Sequence, residues 1–280
     1  MHPAFQIQSS GFRLVDLSRS DLLIDVGPAH FCYTIMIHDT REFVALEYFS
    51  LKERRTEDAI KEILANPLFR KQYQQTYLFY NTTDTTLIPG SHFHNSVTEA
   101  AMHLIHGDLS DDLILSESVP EWDIHNLYRV PKAWHGELYR MFPEGSYWHY
   151  HSAWLRARKN CRDLPEGDSL HILFYPDKAV VVLFKRQMLQ LLQSCAYETP
   201  EDISFYLLRI AEQFRLSPEN LNLYVSGMLD TSSAVYTELI KYFSSVELES
   251  RSRKFYYDFA FDNYPQHYFV PIFSCALCES

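Results

Sequence analysis

Residues 169–227 read SLHILFYPDKAVVVLFKRQMLQLLQSCAYETPEDISFYLLRIAEQFRLSPENLNLYVSG. Three apolar runs come first, SLHILFY, AVVVLF and MLQLLQSCAY, too short for ordinary helices and rich in Val, Leu, Phe and Tyr. Pro176-Asp177 suits an antiparallel turn, because proline presets φ and aspartate can bond its own backbone. The consecutive Val180, Val181 and Val182 predict a strand covered on both faces. A helix follows. Thr199 is its expected cap, Pro200 its first turn and Glu201-Asp202 its acids at the positive dipole end. Ile203, Leu207, Ile210 and Phe214 lay one apolar stripe along it, and Ser217-Pro218 stops it. Leu221 to Val225 then returns through a helical crossover and is expected to pair in parallel. The order is strand, strand, strand, helix, strand, ending at Gly227.

The first half of the chain repeats that order. DLLIDVG (21–27), HFCYTIMI (30–37) and EFVALEYFSL (42–51) give three strands, of which the second reads as alternating. A helix is expected from Thr56, as cap, to about Leu64, and TYLFY (76–80) is the next strand. Side-by-side identity is slight, so the repeat is one of topology. Phe12 to Val15 reads as an edge strand. Between the halves, LIPGSHF is extended around Pro89, and SVTEAAMHLIHG is a helix ended by Gly107. DDLILSES and NLYRV are strands flanking Pro120, while AWHGELYRMFP and YWHYHSAWLRARKN read as helical. Leu164 to Asp168 is the linker, which sets domains of 1–168 and 169–280. Beyond it, SSAVYTELIKYFSSV is an amphipathic helix, RKFYYDFAF a strand and Tyr268 to Leu277 a final helix near the seam.

Composition narrows the function classes. The chain has 280 residues and a formal net charge of −11, which opposes binding to nucleic acid or an anionic membrane. Only 8 residues are Gly, leaving little material for phosphate-cradling loops. No run approaches a membrane span, and the first residues lack the blocks of a signal peptide, so a cytoplasmic location is expected. Five cysteines, an odd and sparse set, fit reduced thiols.

The order of elements resembles the actin-like ATPase superfamily, built from two ribonuclease H-like halves. It is most similar to a bacterial family of unknown function related to PilM-type pilus-assembly proteins. Four places carry the resemblance: Asp25-Val26-Gly27 after the first strand, Ile88-Pro89 before His92-Phe93, Leu223 to Gly227, and Phe269 to Leu277. It implies an α/β fold of two lobes, each with a mixed sheet of an antiparallel triplet plus parallel strands flanked by helices. It also implies a cleft between the lobes, lined by Asp25, Val26 and Gly27 on one side and Ser226, Gly227 and Met228 on the other. Asp25, Gly27, Ser226 and Gly227 would there bind ATP, with Mg²⁺ held through Asp25.

Departures from the superfamily pattern point elsewhere. Pro28-Ala29-His30 follows the first DxG where Ser or Thr and further glycine are usual. Tyr175-Pro176-Asp177 stands at the second phosphate loop without glycine, and Met228 follows Gly227 where a second glycine is usual. Phosphate binding in this fold rests on backbone amides at glycine turns and a carboxylate-held cation, and most of those donors are missing. Met228 and Pro28 are expected to narrow or fill the cleft. The expected function is therefore that of a non-catalytic interaction or scaffold protein with a protein partner, no cofactor and no direct membrane insertion. The alternative is an ATP/Mg-binding ATPase or small-molecule kinase. Gly227 reads equally as a turn residue with positive φ.

Other constellations read as structural. His92, His94, His103 and His106 lack the carboxylate or thiolate partners of a metal site, so none is expected there. Trp148 to His151 reads as a partly buried helix. Cys275 and Cys278 have redox-motif spacing but read as incidental thiols. A nuclease built on Asp25 would need further acids, and only Glu47 and Asp258 offer themselves by type.

Overall fold

The computed structural model describes residues 1–107, 111–161 and 164–277. The chain forms two compact units. The first is Met1–Asn160 with Arg253–Asn263 and Cys275–Ser280; the second is Cys161–Ser252 with Tyr264–Ser274.

In the first unit the strands are β1 (Phe5–Gln8), β2 (Ser20–Gly27), β3 (His30–Ile37), β4 (Glu42–Ser50), β5 (Gln75–Tyr80), β6 (Thr85–Pro89), β7 (Asp112–Val119), β8 (Ile124–Pro131) and β9 (Ser146–His149). The helices are α1 (Thr56–Leu64), α2 (Thr98–His106), α3 (Lys132–Met141) and α4 (Tyr150–Cys161). The main sheet runs β1-β4-β3-β2-β5-β9, with β2, β3 and β4 antiparallel and β2, β5 and β9 parallel. A second sheet, β6-β8-β7, is antiparallel throughout. The second unit holds β10 (Ser169–Phe174), β11 (Lys178–Lys185), β12 (Met188–Ala196), β13 (Asn222–Gly227) and β14 (Ser245–Leu248), with α5 (Pro200–Gln213) and α6 (Ala234–Tyr242). Its order is β12-β11-β10-β13-β14, again an antiparallel triplet followed by parallel strands. β2 and β10 lie in different sheets, so the topology occurs twice. The last described elements are β15 (Tyr256–Tyr257) and α7 (Val270–Cys275).

The sequence signals act where they stand. Thr199 closes a full capping box with Asp202, and Ile203, Leu207, Ile210 and Ala211 bury one face of α5 against β10, β11 and β13. At about 1.5–3 kcal/mol for each large apolar side chain taken from water, that face is the main source of the helix's stability. Ala59, Ile60, Ile63 and Leu64 do the same for α1 against β2 and β3.

Several local readings change. Thr56 is not the cap of α1: the capping position is Arg55, and the Thr56 hydroxyl donates to the Pro28 carbonyl at 2.7 Å. Phe12–Leu14 is a short 3-10 turn, while the edge strand is β1. β3 does not alternate, because every residue from His30 to Met36 is buried. Ser146–His149 is a strand, since Gly145 packs so tightly on Leu78 that the segment can run parallel beside β5. Its Tyr and Trp suit a pleated surface.

The boundary expected after residue 168 is a single cut, whereas the first unit also takes Arg253–Asn263. Tyr256–Tyr257 pair in parallel with Glu42–Phe43 of β4. Phe255 and Tyr257 pack on Phe43, with ring centroids at 5.1 and 5.4 Å, and Arg41 stacks on Phe255 at 4.8 Å. Cys278 lies outside the described residues.

Candidate functional site

β2, β5 and β9 are parallel, so their carboxyl ends lie together, the usual place for a ligand in such a sheet. Two buried polar clusters occupy that end of the first unit.

The first cluster is built on Asp25. Leu22, Ile24 and Val26 point into the core shared with α1. Side chains alternate along a strand, so Asp25 points to the other face, in register with Cys32 of β3. It is buried, as are His30 and Asn81. The Asn81 amide donates to both carboxylate oxygens, at 3.1 and 3.4 Å. His30 Nε2 lies 3.2 Å from Asp25 Oδ2, and its ring stacks on Tyr48 at 5.8 Å. The chain returns through Pro28-Ala29, a two-residue hairpin with Gly27 opposite His30. A Cβ at Gly27 would come within 2.4 Å of His30 Cε1, so any larger residue there would displace the imidazole folded over it. Burial, and secondarily the Asp25 charge, push the Cys32 thiol well above its ordinary pKa, so it is no nucleophile. Glu47 sits in the Ile24–Tyr33–Glu47 row of the sheet, on the face opposite Asp25, where it accepts from Gln6 at 2.8 Å. Asp258 caps the backbone of Ala260 at 2.9 Å.

The second cluster surrounds Glu117 of β7. Its carboxylate accepts from the His149 amide at 3.0 Å, at the end of β9 just before α4, and from the Tyr128 hydroxyl at 3.5 Å. Asn126 donates to Ser152 Oγ at 3.0 Å, and Thr82 lies 3.4 Å from His149 Nε2. Burial is the largest influence on Glu117 and raises its pKa to about 7, against hydrogen bonds from Ser152, His149, Asn126 and Tyr128. Sequence reading missed this cluster. Glu117 stands between Ser116 and Ser118, a polar run that carries no local sign of burial. Asn81-Thr82, the polar pair directly after the apolar run of β5, was the available signal.

In the second unit, Ser226 and Gly227 end β13, in register with Leu173 and Phe174 of β10. Gly227 has φ +88°, and a Cβ there would lie 2.2 Å from the Phe174 carbonyl oxygen. Its amide donates to the His267 carbonyl at 2.8 Å, and the Met228 amide donates to the Phe174 carbonyl at 2.9 Å. His267 Nε2 in turn lies 2.7 Å from the Leu229 carbonyl. The Pro176-Asp177 turn is closed by the Tyr175 amide donating to Lys178 at 2.9 Å.

The histidines disperse into separate roles. His92 lies 3.0 Å from Ser91 Oγ, His103 lies 3.6 Å from Glu99, and His106 lies 3.6 Å from Asp84 and 2.9 Å from Thr86. Among the described residues no three His, Cys, Asp or Glu side chains converge as metal ligands. Asp84 also receives the buried Arg129, which donates to the carbonyls of His106 and Gly107 at 3.0 and 2.8 Å and so closes the C-terminal end of α2. Among the described residues no helix is long and apolar enough to cross a membrane.

The family model described as "Protein of unknown function (DUF3822)" matches residues 9–246. The fold is that of a Bacteroides thetaiotaomicron protein of unknown function with an actin-like ATPase fold. That structure aligns with a TM-score of 0.75 at 16% identity, over 84% of this chain and 93% of that one. PilM in the PilM-PilN type IV pilus biogenesis complex aligns with a TM-score of 0.60 at 13% identity, over 92% and 96%. Comparison with curated proteins gave no match. The chain belongs to the DUF3822 family of unknown function and has the actin-like ATPase fold.

Proposed function

We propose that this chain is a non-catalytic interaction protein, a pseudo-ATPase that keeps the actin-like fold and works by binding another protein. The observation that carries the reading is the state of Asp25. Both of its carboxylate oxygens accept from the Asn81 amide, and His30 Nε2 lies 3.2 Å from Oδ2, inside a group that is 0–2% exposed. To hold a hydrated Mg²⁺, Asp25 would have to release Asn81, part from the His30 ring and admit water, and a buried polar group left unpaired costs about 1–3 kcal/mol. The Gly27 turn, where a phosphate would approach, is covered by the His30 ring. In the second unit the Gly227 amide is already bonded to His267. A protein partner is supported by the fold shared with PilM, whose structure is that of a complex with PilN. The net charge of −11 weighs against nucleic acid. A cytoplasmic location is supported by Cys32 and Cys195, buried with no disulfide.

The rival reading is ATP and Mg²⁺ bound through Asp25, Gly27, Ser226 and Gly227, favoured by the place of Asp25 at a strand's carboxyl end. Isothermal titration with ATP and Mg²⁺ decides between them. No saturable heat is expected. Micromolar binding that disappears in a folded Asp25→Ala variant would overturn the pseudo-ATPase reading.

A further inference from the structure

Unpaired strand edges invite pairing with other chains, and proteins keep them short, charged or interrupted by proline. Most edges here follow that rule. β1, β9 and β14 have four residues each, and β14 carries Glu247. β6 ends in Pro89, and β7 carries Asp112. β12 does not. It is nine residues long, MLQLLQSCA, with no charge, proline or glycine, and among the described residues no strand pairs with its outer side. The equivalent third strand of the first unit, β4, is covered on that side by β1 and β15.

We infer that β12 is an interface between two copies of this chain, pairing antiparallel to itself about Leu192. The occupant is argued from charge. A two-fold centred on Leu192 sets Leu191 opposite Gln193, Gln190 opposite Ser194 and Leu189 opposite Cys195, with no like charges in the ladder. The same operation brings the end carrying Arg186 of one copy to the end carrying Glu198 of the other, twice per dimer. Both side chains are exposed, at either end of β12. A symmetric, isologous contact of this kind closes after two copies and leaves no long edge to propagate. Long-range repulsion between two chains of net charge −11 opposes the contact and makes it weaker at low salt. An uncharged ladder with complementary ends is the arrangement that tolerates this.

The test uses the full chain. Sedimentation velocity is expected to show a concentration-dependent monomer–dimer equilibrium. Hydrogen exchange of the Leu189–Cys195 amides is expected to slow as dimer forms, with β10 unchanged. Leu192→Lys places like charges opposite each other at the two-fold and is expected to give monomer with unchanged circular dichroism. Because that position is half-buried, a second pair of variants on exposed residues accompanies it. Arg186→Glu alone is expected to weaken the dimer about tenfold, and Arg186→Glu with Glu198→Arg to restore it. A monomer at every concentration overturns the inference. So does a dimer whose β12 amides stay unprotected, a charge swap that fails to restore association, or protection of β12 only by a different protein.

Discussion

Glu117 makes stability depend on pH in an unusual direction. Its folded pKa of about 7 lies above the ordinary 4.5, because burial penalises the charged form more than its hydrogen bonds favour it. Between those two values the folded chain holds a proton that the unfolded chain has lost. The folded state therefore binds more protons, and stability falls as pH rises through that window. At 1.36 kcal/mol per pKa unit the full effect is about 3 kcal/mol, present below pH ~4.5 and lost above pH ~7. Glu117→Gln keeps the shape and an acceptor but cannot ionise. Urea denaturation of both proteins from pH 5 to pH 8 isolates the difference, since every other titrating group is common to the pair. The wild type is expected to lose up to about 3 kcal/mol relative to Glu117→Gln across that range, so the variant gains relative stability at the alkaline end. Parallel pH profiles would refute the reasoning, as would a variant that loses relative stability as pH rises. Either result means that Glu117 is ionised and fully solvated or paired in the folded state.

Gly227→Ala is expected to cost about 3 kcal/mol, combining an L-residue at positive φ with a Cβ driven into the Phe174 backbone. Urea denaturation measures it, and a loss below about 1 kcal/mol would mean that the close approach of β10 and β13 relaxes freely. Arg129→Ala is expected to cost about 3 kcal/mol by freeing the α2 carbonyls and Asp84. Asp84→Ala should cost less, because Arg129 keeps its carbonyl acceptors; equal losses in the two variants would refute that division.

The topology was legible because it is written in local patterns. The apolar runs of β10 and β11, the stripe from Ile203 to Ile210 and the Thr199-Pro200 start each act within a few residues, so each could be read without knowing what lies beside it. Repetition of the same order in the first half then pointed to an α/β fold with the same mixed sheet built twice; the third sheet, β6-β8-β7, was not legible as one. Where the reading failed, the deciding contact came from far along the chain. Ser146–His149, read as helical, becomes a strand because β5 offers an edge, and the strand read in RKFYYDFAF shortens to Tyr256–Tyr257, the length that pairs with β4. Thr56 leaves its capping role to bond Pro28, and β3 loses its alternation because both faces are covered.

The site divides in the same way. Asp25, Gly27 and Gly227 were identifiable as residues at strand ends, and the loss of neighbouring glycines and hydroxyls was plain in the sequence. That His30 folds over Gly27, that Asn81 reaches Asp25 from 56 residues away, and that His267 accepts the Gly227 amide are matters of tertiary structure. So is the Glu117 cluster, whose members come from two sheets and a helix start. Hydrophobic periodicity and turn chemistry are local, and the sequence determined them alone. Whether a polar side chain at a strand end faces a ligand or another side chain depends on which distant segment is brought beside it, and only the folded packing decides that.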